Sequence, residues 1–536
     1  MKIKQVIYQV YYRLNKPRLR RVKCPDLRGG FKKMVGGGFQ KPATKDGKVF
    51  TFLGRTVRLE SCWDDARYPK LWLYNLHYQD DLNASGAEEQ LDLCSDMVDS
   101  WIENNPPFIG NGWEPYCLSL RIVNWVKFFS RIEKSEIKRS WLQSLAIQAD
   151  GLNQQLEFHI LANHLFANAK ALVFVGSFFG GKQGELLLMK GLKLLDQELN
   201  EQFLSDGAHY ERSPMYQGTL LWDLLDLIRL SKSVEISVLS VRVEYWEKLL
   251  VKGMQWLSNM SHPDGKISFF NDATFGVAPD IKALQQYATY NDIPITSRVD
   301  SPSRLLGTIL ESSGYGIIYW PLGHKLIADL APVGPDYQPG HAHADTLSCE
   351  LSLFGERVLV NSGISQYGND LERQRQRSSA AHNCVVVNGE SSSEVWSGFR
   401  VARRAKPFNI KLSREAKRVE LSGSHDGYMR FLNRIACSRK WVAKPKSLEV
   451  FDSLNKKPKK AVAYWHFHPN IQVTQLEKNR FSLLLGGGET VTLQVDGGNT
   501  VLKKSSWHPG FGVVEKNNML EVIFDKSDIC TRIFWS

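Results

Sequence analysis

The residues best suited to chemistry lie between Tyr337 and Asn388, in YQPGHAHADTLSCELSLFGERVLVNSGISQYGNDLERQRQRSSAAHNCVVVN. His341 and His343 follow Pro339-Gly340 two positions apart. In an extended segment alternate side chains share a face, so both imidazoles point to one site. Imidazole exchanges protons near neutral pH and also ligates metals. Arg373, Arg375 and Arg377 precede a third histidine, His382. Guanidinium forks suit carboxylate or sulfate, as do those of Arg400, Arg403 and Arg404, with solvated strand-edge charge as the alternative. Trp396 and Phe399, beside the second arginine cluster, are candidates to stack on sugar rings.

Three further segments carry chemical groups. Asn163-His164 opens an apolar helical stretch, where polar groups at a helix amino end favour an anion; Asn163 as a plain helix cap is the alternative. Asp206–Tyr216 (DGAHYERSPMY) is a polar loop running into a helix that starts near Tyr216. Trp113 and Tyr116 lie in GWEPY, followed by Arg121 and Asn124 on a helix, and simple packing is the alternative for both aromatics.

The elements that must hold these groups follow from periodicity. The run Leu347, Cys349, Leu351, Leu353, interleaved with Ser348, Glu350 and Ser352, reads as a half-buried strand. Phe354-Gly355-Glu356 turns it, 357–361 returns, and 385–387 begins another strand, so the histidines and arginines are expected on a small antiparallel sheet. Helical periodicity recurs over 88–103, 118–132, 141–158, 165–178, 185–203, 215–231, 243–259 and 280–290. Helices in succession without strands imply an all-α domain of antiparallel pairs, closed into a toroid because no fixed-length repeat is present. Near Gly314 the period shortens to two and stays so to Trp535, which implies a β-sandwich. The expected domains are a lead-in over 1–60, an (α/α) toroid over 61–305 and an antiparallel β-sandwich over 306–536.

The apolar fraction of 43% and charged fraction of 23% are those of a soluble globular protein. Eight scattered cysteines without a CxxC pair argue for a reducing compartment and against a zinc ribbon. Of the formal net charge of +12, residues 1–23 supply eight cations and no acid, leaving 12 − 8 = +4 for the rest. A nucleic-acid-type basic surface is therefore not implied. Ile3, Val6, Ile7, Val10, Tyr11 and Leu14 form one helical stripe among basic residues. Either that stripe docks on its own domain, or it lies on an anionic membrane face. No continuous apolar segment resembles a secretory signal, so a cytoplasmic location, peripheral at the inner membrane, is expected, with the periplasm as the alternative.

Taken together, Asn163-His164, DGAHYERSPMYQ, YQPGHAHADTLS, VLVNSG and ERQRQRSSAAHN resemble the heparinase II/III-like polysaccharide lyases. KLWLYNLHY (70–78) and WEPYCLSLRIVNW (113–125) extend the resemblance over most of the chain beyond residue 60. The resemblance implies a toroid followed by a sandwich, and β-elimination on a uronate-containing polysaccharide. It assigns carboxylate neutralisation to Asn163 and His164, and the base and acid to Tyr216 and His341. Tyr216 rather than Tyr210 matches the motif. A tyrosine needs neighbouring cations to act as a base, for which Arg212 is a candidate. Trp113, Tyr116, Arg121, Arg212, Arg375 and Arg377 are the expected substrate-binding residues. A structural zinc ion is implied at His343, Asn361 and His382. The amide of Asn361 stands where the family has a carboxylate, and a hydrogen-bonded cluster without metal is the alternative. The expected partner is an anionic polysaccharide, and a C5-epimerase or a binding protein without turnover are the competing readings.

Overall fold

The computed structural model describes residues 2–34, 38–59, 62–295 and 302–536. The expected boundary at 60/61 lies outside the described residues. By their contacts the residues form two units, the first comprising Met1–Phe203, Leu220–Val251 and Ala283–Ile295. The second comprises Leu204–Thr219, Lys252–Lys282 and Thr296–Ser536, so both 204–219 and 252–282 belong with the C-terminal half.

Helices run α1 Ile3–Leu14, α2 Lys70–Tyr78, α3 Leu91–Asn104, α4 Pro115–Phe129, α5 Arg139–Gln154, α6 Ala162–Phe178 and α7 Gly181–Gln202. Next come α8 Pro214–Ser233, α9 Ser237–Asn259 and α10 Ile281–Tyr290. Helix α6 is apolar on nearly every side, the composition of a helix enclosed by others, and it packs against α4, α5 and α7. It meets α7 at close range. A Cβ on Gly176 would lie 2.4 Å from the Leu188 nitrogen, and one on Gly191 would lie 2.8 Å from that of Val173. Only glycine permits that crossing. Helix α2 shows no single apolar stripe in the sequence, because Trp72, His77 and Tyr78 are buried along with Leu73 and Leu76.

The second unit is antiparallel throughout its main sheets. A five-stranded sheet runs Leu306–Leu310, Tyr315–Tyr319, Lys325–Asp329, Cys349–Leu353 and Glu356–Leu359. An eight-stranded sheet extends from Pro407–Glu415 to Gln472–Glu477, and a four-stranded one includes Val385–Val387. Trp320, Leu351, Trp441, Trp465 and Ile533 bring all three into one core.

Two local expectations change. Cys349–Leu353 is buried on both faces rather than one. Its polar side is occupied, since His262 bonds Ser352 (2.7 Å) and Glu350 (2.7 Å). The three arginines lie not on a sheet but on a short helix, α11 Leu371–Arg377, whose cap Asp370 accepts the Arg373 N–H at 2.9 Å.

Candidate active site

Tyr216 occupies the first turn of α8. Ser213 caps that turn: its hydroxyl accepts the Tyr216 N–H at 3.3 Å and donates to the Asp272 carbonyl at 2.6 Å. The ring is thereby held by a regular element. Its hydroxyl lies 3.0 Å from Nε2 of His341, and the two rings stack at 4.2 Å and 18°. His341 Nδ1 lies 2.5 Å from Glu211 Oε2. A carboxylate only accepts, so Nδ1 carries a proton, and in the neutral imidazole Nε2 faces the phenol with its lone pair. Burial pushes the Glu211 carboxyl up, but the charge and hydrogen bond of His341, with His209 beyond, bring it below the ordinary value. Tyr367 completes the group, its hydroxyl 3.0 Å from that of Tyr216.

Burial, then Tyr367, Asp272 and Glu211, raise the Tyr216 pKa well above 10. Arg212 does not offset this, because its Nε and Nη1 donate to the carbonyls of Ser313 (3.0 Å) and Tyr210 (3.2 Å). The nearby cation is Arg373, fully buried, whose guanidinium lies 5.1 Å from the Tyr367 ring centre and grips both oxygens of Asp272 at 2.5 and 2.7 Å. Against its burial, Asp272 is held well below the usual carboxylate range by Arg373 and by His343.

His343 and His382 form a second cluster. His343 Nε2 lies 2.8 Å from the ionised Asp272, and His382 Nδ1 lies 2.8 Å from the Ser378 carbonyl, so each of these nitrogens donates. Burial lowers both imidazole pKa values to about 4, leaving them neutral at pH 7. His343 Nδ1 and His382 Nε2 then face each other at 3.1 Å, lone pair to lone pair. Asp345 is the third group, with ligand atoms of all three within 4.8 Å of one another. Two tetrahedral zinc–nitrogen bonds of ~2.0–2.1 Å would hold such nitrogens about 3.3 Å apart. The donor set can hold a metal ion.

Asn361, expected as the third ligand, is bonded to backbone at both ends of its amide. Its Nδ2 donates to the Phe269 carbonyl (3.0 Å) and its Oδ1 accepts from the Asn383 N–H (3.1 Å). Asp345 offers a third ligand atom beside the two histidines. It continues the alternation of His341 and His343 by two more residues, a signal legible in HAHAD.

In the helical unit, Asn163 and His164 sit in the first turn of α6, reached through left-handed backbone at Leu161 (φ 69°) and Ala162 (φ 55°). Such backbone at non-glycine residues is costly and persists only where the surrounding fold enforces it. Leu161, not Asn163, is the capping residue. Nδ1 of His164 lies 2.8 Å from the buried Glu157, which Asn168 also holds at 3.0 Å. The ring lies 4.4 Å from that of Tyr116, tilted by 36°, and the Tyr116 hydroxyl bonds Asn163. Each unit therefore carries a histidine held by a buried glutamate and set against a tyrosine ring, stacked at His341 and tilted at His164. Neither Glu157 nor Glu211 follows from spacing alone, although Glu211 lies inside the motif of Tyr216.

Most expected substrate-binding residues serve the framework instead. Arg121 is fully buried, donating to Gln148 (2.9 Å) and to the carbonyls of His77 (3.0 Å) and Gly112 (2.7 Å), and its guanidinium stacks on Trp101 at 3.7 Å. Trp113 is buried, bonded to the Asn105 carbonyl at 3.2 Å. Arg377 spends its donors on the carbonyls of Ala342, Ser397, Gly398 and Arg400. Arg375 pairs with Glu372 (2.7 Å) and meets His508 (2.8 Å). Arg403 pairs with Glu394, and Arg404 with Asp336. Arg400 has no ion pair among the described residues and lies 5.8 Å from the Trp396 ring centre. On the same hairpin Trp396 is 54% and Phe399 45% exposed, and the Phe399 ring is 6.0 Å from that of His341.

Residues 82–293 match the heparinase II/III N-terminus, and residues 310–536 match the heparinase II/III-like C-terminal domain. A heparin-sulfate lyase of Bacteroides thetaiotaomicron is 28% identical over 163 residues, 28% of this chain and 23% of that protein. FtsZ-localized protein C of Caulobacter vibrioides is 26% identical over 348 residues, 62% of this chain and 56% of that protein. The matched regions thus span from under a quarter to just over half of these relatives. A crystal structure of heparinase III aligns with a TM-score of 0.69 at 16% identity, covering 99% of this chain and 89% of that one. That likeness establishes the fold class, an (α/α) toroid followed by an antiparallel β-sandwich.

Proposed function

The chain belongs to the heparinase II/III-like family, and we propose that it is a polysaccharide lyase cleaving a uronate-containing anionic polymer by β-elimination. The observation that carries this reading is the linkage of Tyr216, His341 and Glu211. Elimination requires a base for the C5 proton and an acid for the departing 4-linked oxygen. With its pKa raised, Tyr216 is not an isolated phenolate at neutral pH. Its proton can instead pass to Nε2 of His341, giving a phenolate beside an imidazolium that Glu211 stabilises. The phenolate takes the C5 proton and the imidazolium protonates the leaving oxygen. The phenol and the neutral imidazole are both restored, so the cycle closes.

Asn163 and His164 would neutralise the uronate carboxylate, without which the C5 proton is scarcely acidic. Trp396 and Phe399 offer rings to the sugars, and Arg400 a cation to the polymer's anions. A zinc ion held by His343, Asp345 and His382 would supply fixed charge that braces the His341 loop, and no proton transfer is routed through it. The experiment is a screen of purified protein against a panel of uronate polymers, followed by ultraviolet absorbance. A 4,5-unsaturated uronate product supports the lyase; binding without product or C5 exchange favours a non-catalytic binder.

A further inference from the structure

Helix α1 is mounted with its apolar stripe turned outward. The stripe consists of Ile3 (80% exposed), Val6 (49%), Ile7 (59%), Val10 (53%) and Leu14 (76%). The opposite face holds the helix to its own unit. There Lys2 pairs with Glu201, the buried Gln5 donates to the Ile160 carbonyl at 3.3 Å, Tyr8 packs on Phe158 at 4.6 Å and Tyr12 bonds the Leu156 carbonyl. A helix that only had to pack would bury its isoleucines rather than its glutamine. The arrangement is the reverse of the ordinary amphipathic surface helix.

Charge gives the second observation. Arg13, Lys16, Arg18, Arg20, Arg21 and Lys23 are all exposed, with no ion pair among the described residues, and no acid occurs before Asp26. The segment after the helix is pinned through its backbone, since Gln154 bonds both the Arg18 N–H (3.1 Å) and its carbonyl (3.0 Å), and Gln143 donates to the Val22 carbonyl (3.0 Å). The side chains are thereby left outward.

We infer that residues 3–23 dock this protein on an anionic lipid bilayer, the helix lying in the interface with its aliphatic stripe among the acyl chains. At 1.5 Å per residue, twelve residues extend about 18 Å, too short to cross a bilayer but suited to lying within its surface. The aliphatic stripe requires a hydrocarbon partner, which a carbohydrate polymer does not offer. A second copy of the same segment would bring two rows of uncompensated cations together. Acidic headgroups over acyl chains match both features, and each cation near such a surface strengthens binding. This inference does not depend on the reaction proposed above.

The test is co-sedimentation of the full chain with vesicles of phosphatidylcholine alone or mixed with phosphatidylglycerol. The parent is expected to pellet with the anionic vesicles only, and less at high salt. The Ile7→Glu/Val10→Glu double variant changes only exposed positions. It should keep the parental melting temperature and polymer turnover while losing vesicle binding at least tenfold, and Arg18→Glu/Arg21→Glu should lose it similarly. A parent that stays in solution with anionic vesicles overturns the inference. So does an Ile7/Val10 variant that pellets like the parent, or a lipid-free parental dimer that the same variant converts to monomer.

Discussion

Glu211→Gln isolates the electrostatic part of the proposed relay. The substitution keeps the size of the side chain and an oxygen able to accept from His341 Nδ1, but removes a buried charge 2.5 Å from that nitrogen. Unit charges about 4 Å apart at an effective dielectric of about 20 attract by roughly 4 kcal/mol. That sets the scale of what Glu211 contributes to an imidazolium formed when Tyr216 releases its proton. A loss of about 2.7–4 kcal/mol corresponds to a roughly 10²–10³-fold fall in kcat. The assay is initial rate by ultraviolet absorbance on a polymer the parent cleaves, with KM expected within a few-fold and the melting temperature within a few degrees. Groups acting as one unit are not additive. Glu211→Gln/Tyr216→Phe should therefore be no slower than Tyr216→Phe. Multiplying losses, or a Glu211→Gln kcat within tenfold of the parent, would refute the relay.

Tyr216→Phe should lower kcat by about 10²–10⁴-fold with polymer binding retained, whereas Tyr210→Phe, edge-on to His209 at 5.0 Å, should stay within roughly tenfold. By elemental analysis, Asp345→Asn should lose bound zinc. Asn361→Asp should gain none, and should lower stability by ~1–3 kcal/mol in denaturant unfolding because the Phe269 carbonyl loses its donor. His425 and His466 are buried and lowered to about 3, so the folded state holds both neutral while unfolded imidazoles protonate near 6.5. The unfolded state binds more protons in that window, so stability is full above about 6.5 and is lost as pH falls toward 3. Two such groups should cost about 2 kcal/mol between pH 6.5 and 5.5 in denaturant titrations, and a flat profile there would contradict these pKa directions.

The architecture was legible because its signals are periodic: helical spacing across the first half and alternation after Gly314. Tyr216 and His341 were legible through motif resemblance, and Ser213-Pro214 explains physically why one tyrosine is held firmly. The partners of these residues were not. Glu211 and Asp272 reach their histidines across 130 and 71 positions of chain. Arginines mislead for a related reason. Arg121 and Arg377 bond backbone carbonyls within the fold, and a sequence does not distinguish such an arginine from one that meets a ligand. Asp345, two residues from His343, joins the cluster of His343 and His382, a contribution that the resemblance did not assign. The outward stripe of α1 follows from no pattern, because amphipathicity gives the faces of a helix but not which one packs.

The fate of the C5 proton tests the central claim most directly. A polymer from the panel would be incubated with the protein in deuterated water, following ultraviolet absorbance and C5 deuteration together. The account predicts absorbance rising with each C5 proton lost and no deuterium in uncleaved polymer. It also predicts that Tyr216→Phe abolishes both signals. Deuterium entering C5 without absorbance would identify an epimerase, and absorbance rising at the parental rate in Tyr216→Phe would contradict the assignment of the base.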